Sequence, residues 1–66
     1  MPPKVRDILA RLRDEGWVQV RQNGSHRVFK HPLHPNLVTV AGHPNEEPAR
    51  GTWQSIQKQA GWLDKE

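Results

Sequence analysis

Five side chains in the first half of the sequence have the types that acid–base and phosphate chemistry require. His26 stands two residues after Gly24 in the run Asn23-Gly24-Ser25-His26-Arg27-Val28-Phe29-Lys30-His31-Pro32, with Arg21 just upstream. An imidazole exchanges its proton near neutral pH and so serves as general base or acid. Arg21, Arg27 and Lys30 are cations suited to phosphate oxygens, and the Ser25 hydroxyl can orient His26 or a phosphate oxygen. Together they supply what RNA cleavage needs: a base for the 2′-hydroxyl, cations for the charge that develops on phosphorus, and no required metal. The plainer reading of the same residues is a surface histidine on a strand, flanked by a solvated basic face.

A hairpin has to position them. Asn-Gly between two strand-like runs is a strong short-range hairpin signal, so Asn23-Gly24 is expected as the turn between strands 17–22 and 25–31. A two-residue loop sets the register. Counting outward, Arg21 faces His26, Val20 faces Arg27, Gln19 faces Val28 and Val18 faces Phe29. Cross-strand partners share a face, which gives a core face of Val18, Val20 and Phe29. The open face then carries Gln19, Arg21, His26, Val28 and Lys30. Arg27 falls on the core side, where its long stem can snorkel to an edge; a bulge in the second strand would change the parity.

The flanking segments read as a scaffold. Val5, Ile8, Leu9 and Leu12 recur at i, i+3, i+4 and i+7, the stripe of an amphipathic helix over about residues 3–15. Pro3 suits its first position, and Gly16 suits a left-handed stop that folds Trp17 back onto Leu12. Two prolines and an asparagine mark residues 31–36 as a loop. Residues 37–41 read as a third strand with Val38 and Val40 inward and Thr39 on the open face. A breaker-rich loop then leads to Thr52 as the cap of a second helix, 52–60, which Gly61 closes and from which Trp62 packs back. Residues 64–66 read as a frayed tail. A helix, three antiparallel strands and a helix make an α+β domain, α-β-β-β-α, with two helices on one face of the sheet.

Composition excludes several classes. At 66 residues the chain is one domain, and at this size only about 60% of the unfolded surface becomes buried. No cysteine is present, so disulfides and thiolate metal sites are ruled out and a reducing cytoplasm suits the chain. No apolar run approaches the roughly 20 residues of a membrane span. His31, His34 and His43 invite a metal reading, but no cysteine or well-spaced carboxylate completes a ligand set, so none is expected. Neither a Ser-His-Asp arrangement nor a glycine-rich phosphate loop is present, since the five glycines are isolated, and no cofactor is expected. Trp17, Trp53 and Trp62 offer stacking surfaces for bases, yet all three stand where helix packing buries them. Ten Lys+Arg against seven Asp+Glu give +3, a balance that favours a polyanionic partner.

The ordered set Gly24-Ser25-His26-x-x-Phe29-x-His31-Pro32, the strand Val38-Thr39-Val40 and the ending Gly51-Thr52-Trp53-Gln54-Ser55-Ile56-Gln57-Lys58-Gln59-Ala60-Gly61 resemble the HicA toxins of HicA–HicB toxin–antitoxin modules. The likeness spans nearly the whole chain. Trp53 stands where that family usually has leucine, and Ala41-Gly42 replaces a stretch that more often contains proline. The resemblance implies a double-stranded-RNA-binding-like fold and ribosome-independent cleavage of mRNA. It also implies His26 as the catalytic residue and neutralisation by a HicB-like antitoxin. His43 matches a histidine often found in the family. The alternative on the same frame is a module that binds RNA by shape and phosphate contacts without cutting it.

Overall fold

A computed structural model describes residues 2–63, and the tail expected at 64–66 lies outside the described residues. The elements run α1 (Val5–Asp14), β1 (Val18–Asn23), β2 (His26–His31), β3 (His34–Val40) and α2 (Arg50–Ala60). The strands form one antiparallel sheet in the order β1-β2-β3. Val5, Ile8, Leu9 and Leu12 of α1 share one buried cluster with Phe29, Val38 and Val40 of the sheet and with Ile56 and Ala60 of α2. Both helices therefore cover one face and leave the other open, the α-β-β-β-α arrangement that the periodicities predict.

Both helices end as their glycines require. Gly16 has φ +96°, Trp17 N–H bonds the Leu12 carbonyl at 2.9 Å, and Gly16 N–H bonds that of Arg13 at 3.1 Å. That pair of bonds is a Schellman ending. Gly61, at φ +76°, ends α2 in the same way, with Trp62 N–H on the Gln57 carbonyl at 2.8 Å. Their beginnings differ from expectation. Helix α1 starts at Val5 after Lys4, and the carbonyls of Glu46 and Pro44 accept from Val5 and Arg6 N–H at 2.8 and 3.0 Å. Loop backbone thus does the work of a side-chain cap. Helix α2 starts at Arg50 after Ala49, so Thr52 lies inside the first turn and is not its cap.

The hairpin turn sits one residue later than expected. Asn23 pairs with His26, so the two loop residues are Gly24 and Ser25. Gly24 has φ +62° and, among the described residues, no non-glycine residue has positive φ; a left-handed glycine followed by an ordinary residue is the type II′ pattern. An Asn-Gly loop of type I′ would need both central residues left-handed, whereas Gly-Ser confines that conformation to glycine. The Gln22 amide braces the turn by donating to the Gly24 carbonyl at 3.1 Å. Moving the turn by one residue moves each cross-strand partner by two, so faces near the turn are preserved. Arg21 pairs with Val28, not His26, yet stays on the open face.

A bulge then reverses the base of β1. Gln19 pairs with Phe29 and Arg21 with Val28, which leaves Val20 as the extra residue. Below it Val18 pairs with Lys30 on the open face, and Val18 and Val20 are 59% and 54% exposed. Their expected place in the core is corrected: Trp17, 3% exposed, supplies the buried side chain of this segment.

The expected loop at 31–36 is also corrected. His31 pairs with His34 around a Pro32-Leu33 turn, and β3 begins at His34. Pro32 occupies a turn position and Pro35 an edge strand, the places in a sheet where a missing N–H costs least. At the other end of β3, Thr39 N–H, unpaired at the edge, donates to Gln59 Oε1 of α2 at 3.0 Å.

Candidate active site

His26 opens β2 at the tip of the hairpin, exposed, and among the described residues nothing hydrogen-bonds its ring. Its cross-strand partner is Asn23. Alternation along β2 puts His26, Val28 and Lys30 on one side, and their partners Asn23, Arg21, Thr39 and Val18 on the same side. The open face therefore reads in rows: Asn23 and His26 at the tip, Arg21, Val28 and Thr39 in the middle, Val18 and Lys30 at the base. Sequence alone does not single out Asn23, because Asn-Gly reads as the loop. The signal was there in Gly24-Ser25, an equally good loop pair that makes Asn23 the flanking strand residue.

The bulge is what lets Arg21 join this face. Without an extra residue, a strand that turns Val18 outward turns Arg21 inward, since successive side chains alternate. Ser25 is half-buried in the turn beside His26. Arg27 goes elsewhere: it is half-buried on the helix-facing side, opposite Gln22 and Val40, and its Nη1 donates to the Gly42 carbonyl at 3.3 Å. Of the four cationic and hydroxyl candidates, Arg21 and Lys30 share the face of His26, Ser25 adjoins it, and Arg27 is held away from it.

The electrostatics of the face are one-sided. No aspartate or glutamate occurs between Gly16 and Asn45, the span that contains all three strands. Among the described residues the one ion pair, Arg11 with Glu15 at 3.1 Å, is on α1. Cations on an acid-free sheet attract a polyanion without internal competition.

The other histidines belong to the scaffold. His31 Nε2 donates to the Glu15 carbonyl at 2.8 Å, while its Nδ1 accepts from Leu33 N–H at 3.0 Å. Both ring nitrogens are used, which leaves no lone pair for a metal. His31 and His34 lie edge to face at 4.7 Å, and Trp17 packs against both, at 5.2 Å and stacked at 4.9 Å. Next to them Glu15 accepts from Trp62 Nε1 at 2.7 Å, and the Arg11 guanidinium lies 4.0 Å above the Trp62 ring. Partial burial pushes the Glu15 carboxyl up, but the bonds from Trp62 and Arg11 and the charges of Arg11 and His34 outweigh it. The carboxyl is held below its ordinary value. His43 is exposed in the loop after β3, with its N–H on Glu46 Oε1. Among the described residues no three histidine or acidic side chains converge as a metal site, and no helix is long and apolar enough to cross a membrane.

A comparison with curated proteins found no match. The family model described as HicA toxin of bacterial toxin-antitoxin matches residues 5–62, from the first turn of α1 to the tryptophan that closes α2. That span contains every element of the fold and the whole hairpin, and the chain belongs to the HicA toxin family of bacterial toxin–antitoxin systems.

Proposed function

We propose that this toxin is an endoribonuclease that cleaves mRNA independently of the ribosome, with His26 as general acid/base. His26 takes the proton from a ribose 2′-hydroxyl, the 2′-oxygen attacks the adjacent phosphorus, and the bond to the 5′-oxygen breaks. The proton passes to that leaving oxygen, and a 2′,3′-cyclic phosphate remains. Charge on the phosphorane oxygens is met by Arg21, and Lys30, further along the same face, binds a neighbouring phosphate. Every group in this scheme belongs to the chain or the RNA, so cleavage is expected to survive EDTA. The observation that carries the reading is an exposed His26, unpartnered among the described residues, on an acid-free open face that also carries Arg21 and Lys30. A HicB-like antitoxin is the proposed neutralising partner, acting in the cytoplasm where mRNA is found.

The test is RNA degradation and growth arrest by wild-type and His26→Ala protein. The variant is expected to fold normally and lose about 10²–10⁴-fold in cleavage, the usual worth of a positioned acid–base group. Full activity in a folded His26→Ala protein sinks the assignment. Salt-sensitive RNA binding with intact RNA recovered from the wild type would establish the non-catalytic binding module instead.

A further inference from the structure

The base of the open face carries a feature that the chemistry at the hairpin tip does not use. Val18, Val20, Lys30 and Pro32 line a shallow dent of about 310 Å³. It exists because the bulge turns Val18 and Val20 outward together, and Pro32 from the second hairpin closes one side. More than half of each valine is exposed. Two valines held outward on so small a protein mark a surface for something else.

We propose that the dent is a subsite for one unpaired nucleobase of the RNA substrate, with Lys30 holding a flanking phosphate. The proposal rests on the ribonuclease reading and extends it away from the cleaved bond. Three observations choose this occupant. The dent lies on the same face and the same strand as His26. Arg21 lies between the two on that face, and Lys30 lies at the rim, so cations run from tip to base. The dent is shallow with an aliphatic lining and no acid lies anywhere in the sheet, a match for a flat apolar group tied to negative charge, as a nucleotide is. A paired base has its faces covered by its neighbours, so the subsite selects single-stranded RNA.

Two properties follow from the lining. Apart from the lysine ammonium it has no side-chain donor or acceptor, so it takes a base by its face and reads no edge. It senses substrate length and the presence of a base, not its identity. His26 and Lys30 are four residues apart along β2, about 13 Å at ~3.3 Å per residue. The bound base is therefore within about four nucleotides of the cut at the ~3.4 Å spacing of stacked bases, and nearer in an extended strand.

The experiment uses an oligonucleotide with a single ribose 2′-hydroxyl in a deoxy background, which pins the cleaved bond. An abasic unit is walked along it. Wild-type protein is expected to lose about fivefold to tenfold in kcat/KM at one position on one side of the cut, the low end for base stacking because no aromatic ring is present. Exchanging the four bases at that position should matter much less. The double variant Val18→Ser with Val20→Ser should erase the abasic effect while cleaving a dinucleotide as well as wild type. An abasic scan without a position-dependent loss, or one unchanged in the double variant, overturns the proposal. Methyl resonances of Val18 and Val20 in His26→Ala protein provide a reading independent of cleavage. They should shift with single-stranded oligoribonucleotide and not with its duplex. Shifts without any wild-type cleavage would keep the subsite and remove the ribonuclease reading; absent shifts remove the subsite alone. If the valine variants cleave and scan like wild type but lose binding to the antitoxin of the same module, the dent belongs to a protein and the proposal falls.

Discussion

His26 and His31 lie on the same strand, five residues apart, and their surroundings give them opposite work. His26 is exposed with neither ring nitrogen bonded among the described residues, whereas both nitrogens of His31 are used inside the protein. The His31 bonds specify its neutral tautomer: Nε2 carries the proton to the Glu15 carbonyl, and Nδ1 receives one from Leu33. Replacing His31 with alanine hands those two exposed backbone groups to water and removes a wall from buried Trp17. The expected cost is about 1–2 kcal/mol of stability, seen as a lower Tm or denaturant midpoint, with any RNA cleavage per folded molecule unchanged. A His31→Ala protein that keeps wild-type stability would contradict the scaffold role. The H-x-x-H spacing of His31 and His34 beside two prolines invites a metal reading that no further ligand completes. Only the ring contacts show that this pair is a packing device around Trp17.

At the scale of elements, the join between α1 and the sheet depends on Gly16. A Cβ added there would stand 3.0 Å from His31 Nε2, and the residue already has φ +96°. Gly16→Ala therefore meets two penalties, a left-handed backbone and a packed ring, and should cost about 2–3 kcal/mol. Gly24→Ala meets only the backbone penalty, because nothing lies within 4 Å of its added Cβ, and should cost about 1 kcal/mol. Chemical denaturation of the two variants checks the order. The Glu15 cluster at the same join gives a pH dependence. Its carboxyl titrates lower folded than unfolded, so the unfolded state takes up protons first as the pH falls. Its stabilisation is complete above the ordinary carboxylate range and is lost as the pH falls through the folded value. With the side chain 39% exposed, solvent screening limits the effect to about 0.5–1 kcal/mol. Glu15→Gln should thus lower stability at pH 7 and converge with wild type in acid, as paired melts at the two pH values would reveal. The closing motif of α2 also gains a physical reason at this scale, since Gln59 satisfies an edge N–H of β3.

Over the whole molecule, charge and layers are arranged so that the helices face one way and the cationic sheet the other. If RNA lies along that sheet, its affinity must fall steeply with salt, and removing one phosphate contact must flatten the dependence. Lys30→Ala and Arg21→Ala are each expected to reduce the slope of log affinity against log salt by about 1, measured by anisotropy. Arg27→Ala should leave the slope alone, because its guanidinium is turned to the other face and tied to Gly42. The sequence by itself determined the element order, both left-handed helix stops, the buried roles of the α1 stripe, Phe29, Val38 and Val40, and the candidacy of His26. These follow from local rules: a periodicity, a glycine after a helix, a glycine in a turn. Tertiary structure decided what local rules leave degenerate. Two adjacent pairs, Asn23-Gly24 and Gly24-Ser25, could each form the loop, and pairing with the rest of the sheet selected the second. Val18 and Val20 looked like core by type, and the bulge sent them to the surface because Trp17, held by the Schellman turn of α1, took the buried place. A bulge leaves no mark in hydrophobicity alone, since it changes which partner a residue meets and not what the residue is.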